Sequence, residues 1–192
     1  MKPTGKRMST ETMVTGAVLT ALVIVLQLMG SFIRFGPFSV SLVLIPIVIG
    51  AALCGTQISA WLGFVFGIAV FLSGDAALFL AINVPGTIIT VLAKGVACGF
   101  VAGYVYNLLK EKNRYLATIA AAIVCPIVNT GVFLLGCLLF FFDTMVTGAA
   151  GGNIILYMIT AFVGFNFLFE LGTNIVLSPI VVRLLNIKNK KQ

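Results

Sequence analysis

The sequence predicts an all-α integral membrane protein, a compact bundle of six transmembrane helices with both termini in the cytoplasm. Composition is the first reason: 60% of the 192 residues are hydrophobic and 9% are charged, against averages of about 45–50% and about 25% in soluble domains. The second reason is the length of the apolar segments, since a helix that spans a bilayer needs about 20 mostly apolar residues. The third is the distribution of lysine and arginine, which sets the orientation of membrane helices.

Six apolar segments follow one another along the chain, separated by turn residues or charges. The expected helices cover about residues 12–33, 39–54, 58–72, 86–109, 115–142 and 154–185. The second and third are short for complete spans. Gly36 and Pro37 end the first segment, and Pro85 lies at the start of the fourth. No repeat, linker or change of composition marks a boundary, so residues 1–192 are expected to form a single transmembrane domain.

The basic residues predict which side of the membrane each loop faces. Ten of the twelve lysines and arginines lie near the termini or between the fourth and fifth segments: Lys2, Lys6, Arg7, Lys110, Lys112, Arg114, Arg183, Lys188, Lys190 and Lys191. Short loops rich in Lys and Arg stay in the cytoplasm, so this distribution places both termini inside. The two exceptions are Arg34, in the first outer loop, and Lys94, within the fourth segment.

The cysteines and the lack of histidine argue against metal, disulfide and catalytic chemistry. The four cysteines are Cys54, Cys98, Cys125 and Cys137, each alone in an apolar run. They are interpreted as small hydrophobic side chains. Acid–base or nucleophilic catalysis would need histidine, clustered carboxylates, or a Ser or Cys beside a base. We therefore expect no enzyme activity, no metal and no cofactor.

Lys94 is a full positive charge in the middle of an apolar stretch, "TVLAKGVACG". At 1.5 Å per residue it would lie roughly 12–14 Å from the outer end of its helix, too deep for the side chain to reach the interface easily. A lysine at the centre of a span costs about 2.5–3.5 kcal/mol, so it normally faces a bundle interior or a hydrated cavity. We interpret Lys94 as a ligand-binding residue, with a structural ion pair as the alternative.

Polar side chains on the fifth and sixth segments lie at a similar expected depth. Asn166, Glu170 and Asn174 recur every four residues and therefore share one helical face. Glu170 is the expected partner for Lys94, in a neutral pair that reorganises when a ligand enters. Asn129 of the fifth segment is a further polar candidate at comparable depth.

Three polar residues in the outer loops border the expected cavity. Asp75 and Asn83 precede the fourth segment, and Arg34 follows the first. Exposed loop charges are usually only solvated. Arg34 opposes the charge bias of the other loops, and this favours a role in closing over an anionic group.

Small residues mark the first and third segments as close-packing helices. Ala17 and Ala21 form a small-xxx-small pair in the first segment, and Gly63 and Gly67 repeat the spacing in the third. Such pairs let another helix approach closely. Taken alone they indicate packing, either within the chain or against a partner.

The chain resembles the substrate-binding S-components of energy-coupling factor (ECF) vitamin transporters. The stretches that carry the resemblance are "FSVSLVLIPIVIGAALCG", "LGFVFGIAVFLSGD" and "INVPGTIITVLAKGVACGFVAGYVYNLL", together with the alanine pair of the first segment. The resemblance implies a subunit of the bacterial plasma membrane that captures a vitamin from outside. It would dock through Ala17 and Ala21 on a transmembrane coupling protein driven by two cytoplasmic ATPases. The chain has no G-x-x-x-x-G-K-[ST] loop of its own, so the energy would come from those partners.

The resemblance also implies where the ligand lies. In the family it occupies the outer half of the bundle, covered by the loop between helices one and two and framed by helices four to six. Carried over by location and chemistry, the substrate-binding positions are Arg34, Asn83, Lys94, Asn129, Asn166 and Glu170.

Pantothenate suits these positions, because its carboxylate would pair with Lys94 and its hydroxyls and amide with the asparagines. Folate and other carboxylate-bearing vitamins stay open. Two other classes are the alternatives: a polytopic membrane enzyme and an autonomous small-solute carrier. Against the enzyme alternative, the chain lacks the groups that catalysis usually requires. A pore would need polar residues from end to end of several helices, whereas here they collect at mid-depth and on the outer side.

Overall fold

A computed structural model describes residues 9–32, 34–35, 38–39, 42–160 and 164–189, with side chains for 9–32, 42–160 and 167–183. Its regular structure is helical except for one short hairpin. The elements in chain order are α1 (Thr10–Gly30), β1 (Arg34–Phe35), β2 (Phe38–Ser39), α2 (Leu44–Cys54), α3 (Thr56–Leu72), α4 (Ala77–Leu80), α5 (Val84–Leu109), α6 (Arg114–Phe140), α7 (Phe142–Gly148), α8 (Ile154–Met158) and α9 (Gly164–Asn189).

The expected all-helical architecture is confirmed for the described residues. Among them, α1, α5 and α6 are long and apolar enough to cross a membrane, while α2 and α3 are shorter apolar helices. Helix α9 has 26 residues, which makes it about 39 Å long at 1.5 Å per residue. The count of six spans, the single domain and the cytoplasmic position of both termini stay predictions.

The connections contain more structure than the sequence predicted. Helix α4 forms within the polar break before α5, because Phe79 packs into an aromatic cluster. Helix α6 ends at Phe140, before the expected boundary, since Phe141 leaves the helical conformation at φ −130° and ψ 21°. The expected sixth helix over 154–185 is divided into α8 and α9. Between α1 and α2, residues Arg34 and Ser39 pair in an antiparallel hairpin.

A sharp turn joins α2 to α3. Gly55 adopts φ +88°, a backbone conformation that residues other than glycine rarely take. It is both the C-cap of α2 and the N-cap of α3. The two helices then pack together, and Ser59 Oγ donates to the carbonyl of Ile47 at 3.1 Å. This short hairpin explains why the second and third apolar segments are shorter than complete spans.

Helix α5 lies between α3 and α6, and these are its main contacts. Against α3 it packs backbone to backbone: a Cβ added at Gly95 would overlap the carbonyl of Gly63, and one added at Gly99 would overlap the carbonyl of Ser59. We call this contact the glycine seam. Helix α9 packs on α6 and α2, so α6 separates most of α9 from α5.

Hydrogen bonds bring several helix ends together at one end of the bundle, called here the loop end. Gln27 near the end of α1 donates to Asp75, just beyond α3, and Asn83 at the start of α5 donates to the carbonyl of Phe140 at the end of α6. The loop end also carries a small apolar cluster of its own, which includes Cys137, Phe141, Met145 and Met158. The main core lies between α1, α2, α3, α5 and α6.

Candidate substrate-binding site

Lys94 lies at the junction of three helices. Ten residues separate it from Val84, the first residue of α5, which is about 15 Å at 1.5 Å per residue. Its ammonium nitrogen is 5.6 Å from the ring centroid of Phe66 on α3 and 5.2 Å from that of Phe133 on α6. Cation–π contacts of this kind contribute about 0.5–2 kcal/mol. Two aromatic faces therefore position the charge deep in the bundle.

Glu170, the carboxylate expected to pair with Lys94, acts on it at longer range. Its side chain is 3% exposed on α9, and its negative charge acts on Lys94. Within the described side chains, no carboxylate oxygen lies within 4.0 Å of the Lys94 ammonium. The pairing of Lys94 with Glu170 stays a prediction.

Two buried polar atoms flank Lys94 with no hydrogen-bond partner among the described residues: Thr90 Oγ1 and Asn129 Oδ1. Thr90 is 3% exposed and Asn129 is 5% exposed. Thr90 precedes Lys94 by four residues on α5, and Asn129 precedes Phe133 by four residues on α6, so each lies one turn from a residue of the Lys94 contact. Leaving such atoms buried and unsatisfied costs about 1–3 kcal/mol each.

Asn129 was among the predicted site residues, whereas Thr90 was not. A threonine in a membrane helix usually bonds its own backbone, as Thr87 does to the carbonyl of Asn83 at 2.6 Å and Thr118 to that of Arg114 at 2.9 Å. Thr90 differs because Gly136 of α6 packs directly against its side chain. Its spacing of four residues from Lys94 places it on the same helical face, but the sequence alone does not distinguish it from Thr87.

The polar stripe of α9 is partly committed to its own helix. Asn174 is 3% exposed and its Nδ2 donates to the carbonyl of Glu170 at 2.8 Å. Asn166 belongs to α9 by its backbone, and its side chain lies outside the described part of the structure. The described stripe therefore presents Glu170 as its buried charged group.

Asn83 and Arg34, the two predicted residues near the loops, differ in what the structure describes. Asn83 caps α5: its Oδ1 accepts from the Gly86 amide at 2.9 Å, and its Nδ2 donates to the Phe140 carbonyl at 3.3 Å. Both polar atoms are thus engaged, at the helix end rather than beside Lys94. Arg34 forms part of β1, and its side chain is outside the described residues.

An aromatic cluster links Lys94 to the loop end. Phe79 of α4 meets Phe133 edge to face at 5.5 Å and 88°, and it meets Phe141 at 5.3 Å and 81°. Such T-shaped contacts are the favoured geometry for aromatic pairs. Because Phe133 also contacts the Lys94 ammonium, the position of α4 is coupled to that of the charge.

Buried polar contacts also join α1 to the α3–α4 connection. Gln27 is 2% exposed, and its Nε2 donates to Asp75 Oδ2 at 2.6 Å and to Ser73 Oγ at 3.2 Å. Ser73 Oγ in turn donates to Asp75 Oδ2 at 3.1 Å. This Gln27–Asp75 contact holds the end of α1 against the connection that leads into α4.

Ala17 and Ala21 lie on the exposed face of α1. An open groove of about 430 Å³ separates this part of α1 from α3. It is lined by Gly16, Ala17 and Thr20 of α1 and by Gln57, Ile58 and Trp61 of α3. Trp61 is 51% exposed and its indole N–H donates to Thr20 Oγ1 at 3.3 Å. Within the described part of the chain, the small-residue pair is therefore accessible on the surface.

Comparison with known proteins identifies the family. Residues 11–182 match the family described as "ECF transporter, substrate-specific component", which confirms the resemblance seen in the sequence. No curated protein and no solved structure gives a significant match. Members of the family bind the substrate for a multi-pass membrane transporter and are not enzymes, and they imply an ECF transmembrane component and ATPases as partners. The chain therefore belongs to the substrate-specific components of ECF transporters, and it is a substrate-specific subunit of a membrane transporter.

Proposed function

We propose that the chain captures a small anionic water-soluble vitamin at Lys94, from outside the bacterial plasma membrane, with pantothenate as the favoured substrate and folate or another carboxylate-bearing vitamin as the alternative. The observation that carries this proposal is the Lys94 ammonium, held deep in a spanning helix by two aromatic rings. A buried charge normally has a paired partner. A substrate carboxylate would supply that partner through charge-assisted hydrogen bonds.

Glu170 supports the same proposal as a second buried charged group. Its longer-range attraction to Lys94 offsets part of the cost of the buried ammonium before the substrate enters. Once a substrate carboxylate occupies Lys94, Glu170 would accept a hydrogen bond from a hydroxyl or amide of the substrate. In pantothenate one carboxylate, two hydroxyls and an amide meet these demands. Asn129 and Asn166 would bind further hydroxyl or amide groups, and Arg34 would close over the site from the loop.

The exposed alanine pair of α1 supports a proposal for coupling. Ala17 and Ala21 line an accessible face beside the groove to α3, and small side chains let a partner helix approach closely. We infer that the ECF transmembrane protein docks there, with two cytoplasmic ATPases driving release inside. Recovery of a tagged chain without any coupling protein, from cells that express the complete transporter, would contradict this assembly and favour an autonomous carrier.

The test of the binding site is Lys94→Met in the full-length chain purified in detergent. Calorimetry would measure its affinity for pantothenate, folate, biotin, lipoate and nicotinate, five carboxylate-bearing vitamins. Removing one partner of a buried charge pair costs about 2–5 kcal/mol, so we expect the affinity for the true substrate to fall about 30-fold or more.

Lys110→Met is the matched control for charge, since Lys110 is an exposed lysine at the other end of α5. It should leave the affinity unchanged. A Lys94→Met protein that binds the substrate as tightly as the Lys110→Met protein would refute the proposed site.

A further inference from the structure

We propose that Thr90 and Asn129 are specificity-determining residues, which require the substrate to carry uncharged hydroxyl or amide groups in addition to its anionic group. This inference rests on the proposed function, because it takes Lys94 as the partner of the anion. It deepens that function by assigning a substrate class: a carboxylate with neutral donor–acceptor groups distributed over roughly 10 Å, which is two helical turns.

The burial of the two side chains is the first step. Thr90 and Asn129 are 3% and 5% exposed, and their oxygens Oγ1 and Oδ1 have no hydrogen-bond partner among the described residues. Buried polar atoms in folded proteins are paired in the great majority of cases, with protein, water or ligand. Two exceptions near one partly exposed lysine therefore suit a common polar occupant.

Their placement along the helices is the second step. Thr90 packs against Gly136 of α6, and Asn129 lies seven residues, or two turns, before Gly136 on the same helix. Phe133, the ring that contacts the Lys94 ammonium, falls between them. The order along the α5–α6 interface is thus Thr90, Lys94, Asn129, with the charge in the middle.

The chemistry of the two groups is the third step. A threonine hydroxyl both donates and accepts, and an asparagine amide does the same through its two ends. The unpartnered Oδ1 of Asn129 suits a hydrogen-bond donor, and the Thr90 hydroxyl suits either a donor or an acceptor. Hydroxyls and amides satisfy both positions. A methylene chain or a bare aromatic ring would leave both atoms unsatisfied after water is excluded.

The panel of five vitamins separates substrates by this criterion. Pantothenate and folate carry hydroxyl or amide groups in addition to a carboxylate, whereas lipoate and nicotinate carry a carboxylate with neither group. We expect a member of the first pair to bind and the second pair to bind at least about 100-fold more weakly, because a site built for hydrogen bonds strongly rejects analogues that lack them.

Side-chain variants test the two residues directly in the same purified full-length chain. Thr90→Val and Asn129→Leu remove the polar atoms with little change of volume, and each should weaken binding of the substrate about tenfold. Thr90→Ser keeps the hydroxyl and should stay within about threefold of the original affinity. Thr87→Val and Thr118→Val are the matched controls, since these buried hydroxyls already bond their own helices.

The outcomes distinguish the inference from the proposed function. If Lys94→Met abolishes binding while Thr90→Val and Asn129→Leu match the control variants, the inference is overturned and the proposed function stands. Tight binding of lipoate or nicotinate through Lys94 would likewise overturn the inference and leave the proposed function standing. If no member of the panel binds, or if binding survives Lys94→Met, the proposed function fails and the inference fails with it. A Thr90→Val protein that unfolds while Thr90→Ser folds and loses affinity would also overturn the inference.

Discussion

Helix α5 has two faces that are built in opposite ways. Toward α3 it meets the glycine seam, where Gly95 lies on Gly63 without intervening side chains. Toward α6 it presents Thr90, whose hydroxyl oxygen forms no hydrogen bond with the described residues, and Lys94 lies one turn further along, near Phe66 of α3 and Phe133 of α6. The first face is held by close backbone packing, and the second is the face on which we propose that the substrate binds. The comparison shows that one helix can combine close backbone packing on one side with a buried polar atom that lacks a hydrogen-bond partner on the other.

Breaking the glycine seam should have the largest effect on the folded state. In Gly95→Val, the new Cβ would overlap the carbonyl of Gly63, which is backbone and cannot rotate away. We expect destabilisation of about 3 kcal/mol or more, at the upper end of the range for overpacking. Thermal unfolding of the purified protein would measure it, together with the yield from membranes.

Gly131→Ala is the control for the seam prediction, because a Cβ added at Gly131 of α6 meets nothing within 4 Å. Replacing glycine by alanine within a helix should stabilise slightly. Similar unfolding temperatures for Gly95→Val and Gly131→Ala would show that α3 and α5 are not held by backbone contact.

Removing the Gln27–Asp75 contact should have an intermediate effect. Gln27→Leu keeps the volume but removes the donor at 2.6 Å from the Asp75 carboxylate. Hydrogen bonds to charged groups contribute more than neutral ones, so we expect a loss of about 1–2 kcal/mol of stability. The same unfolding experiment measures it.

The association and dissociation rates of the substrate give a second readout for Gln27→Leu. If the contact holds the α3–α4 connection over the site, Gln27→Leu should raise the association and dissociation rates together and change the dissociation constant little. A weaker affinity with an unchanged association rate would instead indicate that Gln27 contacts the substrate. Stopped-flow measurement of Trp61 fluorescence would provide the rates, since Trp61 is the one tryptophan of the chain.

Enlarging the exposed alanine pair should have the smallest effect on the isolated protein. Ala17→Leu adds volume on an accessible face of α1, so stability and substrate affinity should change by no more than about 0.5 kcal/mol. Association with the ECF transmembrane protein should nevertheless be lost, because the added side chain blocks close helix approach. Val18→Ala, one residue away on the exposed face, is the control. Unchanged co-purification of the Ala17→Leu protein would exclude this docking face.

The charged and amide groups of the candidate site are easier to find in the sequence than its threonine hydroxyl. Lys94, Glu170 and Asn129 stood out because charged and amide groups are costly within apolar segments. Thr90 did not, since Thr87 on the same helix shows how a threonine hydroxyl is usually satisfied by its own backbone. Only the packing of α6 against α5 distinguishes these two threonines.

Local turn chemistry was underestimated in the sequence. Asn83 was predicted as a substrate ligand, but it directly precedes Val84 and Pro85, an arrangement typical of a helix N-cap, and the structure gives it that role. Its part in substrate binding stays untested. Helix α4 was missed because four residues are too few to display a helical period. Long apolar helices such as α5 and α6 were predicted within two residues at each end.

The glycine seam also has a mechanical consequence. Trp61 and Gln57 of the surface groove belong to α3, and α3 touches α5 through backbone atoms alone at Gly63 and Gly95. No flexible side chain lies there to absorb a displacement. We therefore expect that a partner that tilts α3 from the groove would move α5, and with it the Lys94 charge, as one rigid unit.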